Sequence, residues 1–383
     1  MFITHIKLKN WKNFREADIP LYPQTYLIGP NASGKSNLLD VFRFLRDVAK
    51  SSGGGLQKAV EDRGGIGKLR CLHARKDTEV KIEVGLALTS DAEPVWQYVL
   101  GFKSEGVGRQ RTQITQETII KNGKILLNRP DKEDKTDRER LTQTHLEQIS
   151  SNKEFRDVVE FFAVTTYLHI VPQLLKYGDK IGGNTLEEDP LGQKFLERIA
   201  DTSDRTRKAR LDKIEEALKV AVPRFEAIRF VRDEKNGHPH LEARYGHHRP
   251  NAGWQREDQF SDGTLRLLGL LWMLLDGDSL LLMEEPELSL NNSIVERIPE
   301  LIQRIQRKAK HKRQVLISTH SEALLSNPGI DSRAVLILEP GTEGTHIRSP
   351  NSEELATVDT GFSIAEVLLP KVKPQGIEQL GLF

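Results

Sequence analysis

The sequence predicts an α/β fold with a β-rich N-terminal lobe, an inserted helical region, and a main sheet that both ends of the chain must complete. Three patterns predict it. A short apolar run, Thr25-Tyr26-Leu27-Ile28, passes through a glycine-containing turn into a stretch with a broad helical apolar face. From Phe260 onward the pattern runs helix, buried strand, helix, strand, helix. Neither stretch is long enough to close a core alone, so the two have to meet.

In chain order, Phe2–Leu8 has apolar side chains at every second position from Ile6, as a half-buried strand does. After the turn at Gly29, the residues Leu38, Leu39, Val41, Phe42, Phe44, Leu45 and Val48 mark a helix. Gly53-Gly54-Gly55 and Gly64-Gly65 punctuate the connection beyond that helix. Strands resume at Val80–Leu88 and Val95–Phe102, and Lys121-Asn122-Gly123-Lys124 reads as a hairpin turn. From Asp131 to about Asn152 the chain turns charged and polar, and it is expected to form an exposed helical or loose insertion. A loop over Gly178–Asp189 precedes a helical stretch, Leu191–Val220, broken near Asp201–Asp204. Ala227–Val231 and His240–Tyr245 flank Asn236-Gly237 as a second hairpin, and Ser279–Met283 and Gln314–Ser318 are buried strands.

The chain has 383 residues, with 56 basic and 55 acidic side chains, so no strong overall field draws it to polyanions. Any nucleic-acid contact must come from a local patch. One cysteine, Cys71, excludes an internal disulfide and suits a reducing compartment. The opening Met-Phe-Ile-Thr-His lacks a signal-peptide pattern. The most apolar stretch, Leu267–Leu275, is far shorter than the ~20 residues a spanning helix needs. A cytoplasmic protein without membrane contact is expected.

Gly29-Pro30-Asn31-Ala32-Ser33-Gly34-Lys35-Ser36 fits the phosphate-loop pattern between an expected strand and an expected helix. Gly29 and Gly34 let backbone N–H groups turn inward around phosphate oxygens, and the helix points its positive end at them. Lys35 would neutralise the β- and γ-phosphates, and the Ser36 hydroxyl would ligate Mg²⁺.

The C-terminal third supplies the other half of a site. Leu280-Leu281-Leu282-Met283-Glu284-Glu285-Pro286 is a buried strand ending in two carboxylates. Glu284 suits the metal side, largely through metal-bound water, and Glu285 suits polarising an attacking water. Phe260-Ser261-Asp262-Gly263-Thr264 precedes a helix and leaves a hydroxyl and backbone amides at its N-terminus. Ser318-Thr319-His320 ends the next strand, where an imidazole would reach a γ-phosphate.

These residues resemble an ABC-type ATPase head of the SMC/RecF-like class, a P-loop NTPase of the stand-alone prokaryotic kind without a long coiled coil. The matching stretches are GPNASGKS, FSDGTLR, LLLMEEPELSL and LISTHS, together with the opening IKLKNWKNF. The resemblance implies ATP and Mg²⁺ as cofactors and catalytic roles for Glu285, His320 and Lys35. It implies a homodimer in which Ser261, Gly263 and Thr264 of one subunit close on the γ-phosphate held by the other. It also implies a glutamine that contacts Mg²⁺ between lobes, for which Val171-Pro172-Gln173 is the best candidate. Two departures stand out: Glu284 occupies a place that is usually Asp, and the signature reads Ser-Asp-Gly rather than Ser-Gly-Gly.

The expected organisation is an N-terminal ATPase lobe over residues 1–130, an inserted helical and hairpin region over 131–255, a C-terminal ATPase lobe over 256–347, and an extension and tail over 348–383. The resemblance implies a nucleotide-driven switch in DNA maintenance or antiphage defence, with a separate nuclease as partner. The alternatives are the ATPase subunit of a transporter and a non-hydrolysing ATP-binding scaffold. The SDGT signature and the EEPE strand stand against the first, and Glu285 with His320 against the second. His238, His240, His247 and His248 read as surface residues rather than a metal cluster. Arg304, Arg307, Lys308, Lys310, Lys312 and Arg313 suit either a DNA backbone or the negative end of a helix. The tail residues Gln379, Leu380, Leu382 and Phe383 resemble a sliding-clamp docking peptide, or else pack back on their own body.

Overall fold

The computed structural model describes residues 1–74, 77–90, 92–106, 111–181, 191–246, 253–277, 279–309 and 312–373. The N-terminal half holds strands β1 (Phe2–Trp11), β2 (Phe14–Pro20), β3 (Gln24–Ile28), β4 (Val80–Ala87), β5 (Trp96–Ser104), β6 (Thr112–Lys121) and β7 (Lys124–Arg129). The remainder holds β8 (Thr166–Leu168), β9 (Phe225–Arg232), β10 (Pro239–Tyr245), β11 (Gln255–Arg256), β12 (Leu281–Glu284), β13 (Val315–Ser318), β14 (Val335–Gly341) and β15 (Gly344–Arg348). Among the described residues these strands make three sheets.

The first is an antiparallel sheet in the order β2-β1-β4-β5-β6-β7. Its alternation is the one expected of a sheet with one wet face: Ile6 and Leu8 are buried, while Lys7 is exposed. The β6–β7 hairpin turns on Asn122 and Gly123, whose φ values of 49° and 76° belong to the tight turn that matches strand twist.

The central sheet runs β15-β14-β3-β13-β12-β8, and β3 pairs in parallel with both β13 and β14. Its inner strands are buried on both faces, as parallel strands covered by helices must be. On one face Leu27, Leu282 and Leu316 pack with Phe42 and Leu45 of the helix Lys35–Ala49 and with the first sheet. On the other, Tyr26, Met283 and Ile317 pack with Ile298 and Ile302. Both ends of the chain thus complete one sheet, as the sequence pattern requires.

A third sheet, β11-β10-β9, packs with the helices Asp204–Ala221 and Asp262–Leu275 around Trp272, Leu241 and Phe260. The expected break near Asp201–Asp204 falls between the helices Phe195–Asp201 and Asp204–Ala221.

The stretch from Asp131 to Asn152 is exposed over much of Lys132–Glu139 and begins with the short helix Lys132–Thr136, but it is not loose. Asp134 is fully buried and Leu141, Leu146, Thr144 and Asn152 are also buried. Arg129 reaches Glu117 at 2.9 Å and Asp134 at 2.8 Å, with all three side chains inaccessible to solvent. Asp134, Thr144 and Asn152 are buried and hydrogen-bonded while Lys132, Glu133, Lys135, Thr136, Asp137, Arg138 and Glu139 are exposed, so a closed network lies beneath a solvated rim. Residues 131–255 are also not wholly inserted, because β8 is an edge strand of the central sheet.

The basic run agrees with the helix-end reading, since Arg307 and Lys308 lie in the last turn of the helix Ile298–Lys308. Arg313 is buried and donates from Nη1 to the carbonyls of Met273 and Asp276, at 2.5 and 2.8 Å, and from Nε to that of Ser279 at 2.6 Å. It closes the C-terminal end of the helix Asp262–Leu275, where unpaired carbonyls need donors. Arg304, Arg307, Lys308 and Lys312 are exposed, and Lys310 lies outside the described residues. Among the described residues no helix is long and apolar enough to cross a membrane.

Candidate active site

The site lies where the parallel strands of the central sheet end. Register places Ser318 opposite both Leu27 and Glu284, so the segments after β3, β12 and β13 leave the sheet side by side. Ligand sites in open parallel sheets gather at such carboxyl ends. Gly29–Ser36, Glu284-Glu285 and Thr319-His320 therefore meet although Gly29 and His320 are 291 positions apart in sequence.

The phosphate loop is built as the sequence predicts. Gly29 has no room for a side chain, because a Cβ would stand 2.6 Å from Ser33 Oγ and 2.7 Å from the Leu338 carbonyl oxygen. Gly34 has φ of 99° and opens the helix Lys35–Ala49, and Ala32 is also left-handed at φ 64°. Lys35 is buried, and its ammonium donates to the carbonyls of Gly29 at 2.9 Å and Pro30 at 3.1 Å. Burial lowers its pKa, and the charges of Glu285, Glu284 and Glu287 act against that. Pro30 is partly buried, while Asn31 and Ser36 are exposed at the rim.

Asn13, in the turn between β1 and β2, supports this loop from behind. Its amide donates to the Ser33 carbonyl at 2.9 Å and to Thr345 Oγ1 at 2.8 Å, and its carbonyl accepts from Asn37 at 2.7 Å. Trp11 adds a bond from its indole nitrogen to the Asn37 carbonyl at 2.8 Å. The opening stretch noted by resemblance thus has a physical task. Nothing in the local sequence signals it, since these contacts join residues far apart.

Ser36 Oγ donates to one oxygen of Glu284, and the Tyr167 hydroxyl donates to the other. Glu285, the next residue, has a left-handed φ of 43°, an uncommon and costly conformation for a non-glycine residue that turns the chain sharply at the sheet edge. Its Oε1 lies 3.4 Å from His320 Nε2. Burial and then the positive charge of Lys35 lower the His320 pKa, against the charge of Glu285.

Glu287 is a site residue that sequence reasoning passed over. Its Oε1 accepts from Thr319 Oγ1 at 2.6 Å and from the His320 backbone N–H at 3.1 Å. Burial, helped by the charge of Glu285, pushes its carboxyl above the usual range. It ties the His320 segment to the acidic loop.

The signature residues occupy the other side of that loop. Ser261 caps the helix Asp262–Leu275, accepting from Thr264 N at 3.1 Å, and its hydroxyl lies 2.8 Å from Thr264 Oγ1. Gly263 is held tightly, since a Cβ would stand 2.7 Å from the Ser289 carbonyl oxygen. Among the described residues no hydrogen bond joins Ser261–Thr264 to Gly29–Ser36. Gln173 is placed differently from the expectation of a metal contact. Its amide donates to Asp262 Oδ2 at 2.8 Å, beside Lys176 on Asp262 Oδ1 at 2.8 Å, so it serves the signature helix. From that segment it is Tyr167 that reaches Glu284.

The residues fit a magnesium nucleotide. Among the described residues the buried hydroxyls Ser33 Oγ and Ser318 Oγ and the carboxylate oxygen Glu287 Oε2 have no hydrogen-bond partner, and polar atoms are seldom buried unpaired without a ligand or water to meet them. Of the four histidines, His240 holds Glu257 at 2.8 Å and His238 is exposed, while His247 and His248 lie outside the described residues. Gln379, Leu380, Leu382 and Phe383 lie outside them as well.

Residues 25–326 match the family described as "AAA domain, putative AbiEii toxin, Type IV TA system". The DNA replication and repair protein RecF of Roseiflexus castenholzii is 32% identical over 101 residues, covering 24% of this chain and 26% of that protein. RecF of Gloeobacter violaceus is 46% identical over 46 residues, 12% of each. These alignments therefore span about a quarter of the relatives' length or less. An Smc head crystallised with the C-terminal winged-helix domain of ScpA superposes with a TM-score of 0.57 at 16% identity, covering 93% of this chain and 100% of that one. The chain belongs to this AAA-domain family, and its fold is that of an ABC-type ATPase head of the SMC/RecF-like class.

Proposed function

We propose that the chain hydrolyses ATP with Mg²⁺ and works as a nucleotide-dependent dimerising switch in DNA maintenance or antiphage defence, with a separate nuclease or other effector as partner. One observation carries the catalytic part: Lys35 and Ser36, Glu284 and Glu285, and His320 converge from the ends of three adjacent parallel strands. Bound Mg²⁺ would supply Lewis-acid stabilisation of the phosphate oxygens, held by Ser36 and Glu284. Lys35 neutralises phosphate charge, the loop amides orient the phosphates, and Glu285 accepts the proton of the attacking water. His320, held beside Glu285, is available to donate toward the terminal phosphate.

Dimerisation rests on the exposed placement of Ser261 at a helix N-terminus that makes no bond to its own phosphate loop. A helix start of this kind suits an anion presented by a second copy. DNA maintenance is suggested by the RecF relatives, and the nuclease partner and the clamp contact through Gln379, Leu380, Leu382 and Phe383 remain part of the same proposal. The test is complementation. Ser261→Arg should keep ATP binding yet lose ATP-dependent dimers by light scattering, and mixing it with Lys35→Ala should restore at most one working site per heterodimer. Full activity of the Ser261→Arg homodimer would reject the shared site.

A further inference from the structure

Glu284 stands where an aspartate is the commoner residue, and its extra methylene adds a rotatable bond that must be held if the carboxylate is to meet a metal in one geometry. Two groups hold it. Ser36 Oγ donates to Oε1 from the first turn of the helix Lys35–Ala49. The Tyr167 hydroxyl donates to Oε2 from β8, whose pairing sets Tyr167 opposite Leu282 and Leu168 opposite Met283.

Tyr167 is itself fixed. The guanidinium of Arg43 lies over its ring, 4.4 Å from the centroid, close enough for a cation–π contact. Arg43 is seven residues after Ser36 on the same helix, hence two turns along and on the same face. One helix therefore supplies both a donor to Glu284 and the cation that seats the ring of its other donor. His169, two residues beyond Tyr167, has Nδ1 3.4 Å from the Glu284 carbonyl oxygen and steadies the backbone there.

We propose that Tyr167 is a positioning residue that holds the longer Glu284 arm in metal-binding geometry, so that Glu284 and Tyr167 work as a pair. The inference rests on the magnesium-nucleotide reading of the site. It concerns a contact made by a side chain on the strand itself, distinct from that expected of Gln173.

The test measures metal binding rather than turnover. Mn²⁺ is titrated into the ADP-bound protein and free ion is followed by electron paramagnetic resonance, for the parent, Tyr167→Phe, Glu284→Asp and the double variant. Removing a hydrogen-bond partner of a metal ligand typically weakens the metal 10- to 100-fold. Tyr167→Phe is expected to lose Mn²⁺ affinity by about 10-fold while ADP binding without metal is unchanged. On the Glu284→Asp background, where the shorter arm no longer reaches the phenol, Tyr167→Phe should cost nothing further. Unchanged Mn²⁺ affinity in Tyr167→Phe would overturn the proposal, and so would an equal loss on both backgrounds. Should Tyr167→Phe fold poorly, Arg43→Met loosens the ring while leaving its hydroxyl in place, and it must then weaken Mn²⁺ in the Glu284 background alone. A parent that binds ADP and no Mn²⁺ would defeat the reading of the site itself. A parent that binds both with no effect of Tyr167→Phe defeats this inference alone.

Discussion

Replacing Arg129 by Met should open the segment after β7 and cost several kcal/mol. Arg129 makes five hydrogen bonds: two to Asp134, one to Glu117, and one each to the carbonyls of Gln143 and Arg140. Glu117 also accepts from the backbone N–H groups of His145 and Leu146, at 2.9 and 3.2 Å. Removing the cation leaves buried Glu117 without its cation and buried Asp134 with only the 3.3 Å cation contact from Arg140 Nε, and breaking one partner of such a group typically costs about 3–5 kcal/mol. The two freed carbonyls add less than their separate values, because the group acts as one network. We expect roughly 4 kcal/mol, which is up to three decades in local hydrogen-exchange protection. Exchange measured over residues 117–155 is the assay, with urea unfolding as a check. Arg140→Ala is the comparison: Arg140 pairs with exposed Glu133 and reaches Asp134 only at 3.3 Å from Nε, and Arg129 still holds Asp134 without it, so the loss should be clearly smaller than that of Arg129→Met. Protection in Arg129→Met equal to that of the parent would refute the closed-network account.

Burial pushes the Glu147 carboxyl, which accepts from the backbone N–H groups of Leu56 and Thr144, up to about 7 from its ordinary 4.5. A carboxylate raised in the folded state contributes stability below its unfolded value and loses it as pH climbs through the folded one, so stability should fall by on the order of 2–3 kcal/mol between pH 4.5 and 7. Urea midpoints across that range check it, and Glu147→Gln should flatten the slope. For the basic run, neutralising Arg304, Arg307, Lys308 and Lys312 together should flatten the salt dependence of DNA binding without lowering stability, whereas Arg313→Ala should destabilise the helix Asp262–Leu275. An unaltered salt slope would leave those four as solvated side chains.

Features carried by consecutive residues were legible in the sequence. Gly29–Ser36 could be read directly because its strand, turn and helix are contiguous, and Glu284-Glu285 because apolar density ends abruptly at a charged pair. His320 was legible through its place one strand later. Features that depend on distant partners stayed hidden. Asn13 looks like any turn residue until Ser33 and Thr345 are seen against it, and Tyr167 like any strand aromatic until Glu284 is. Asp134 misled because a charge reads the same in sequence whether water or a buried partner satisfies it, and for the same reason Arg313 could be read as a helix-end cation but its buried partners could not. Gln173 could be picked out by its segment but its partner Asp262 could not, because that contact joins residues 89 positions apart.

The central claim is that Lys35 and Glu285 belong to one hydrolytic site, one holding the phosphates and the other activating water. Single-turnover hydrolysis of radiolabelled ATP with Mg²⁺, alongside nucleotide binding, tests it on the parent, Glu285→Gln and Lys35→Ala. The account predicts that Glu285→Gln binds ATP as the parent does while hydrolysis falls at least ~100-fold, the usual minimum for loss of a general base, and that Lys35→Ala binds ATP poorly. Glu285→Gln hydrolysing at the parental rate, or a parent that binds ATP and Mg²⁺ without turnover, would contradict it.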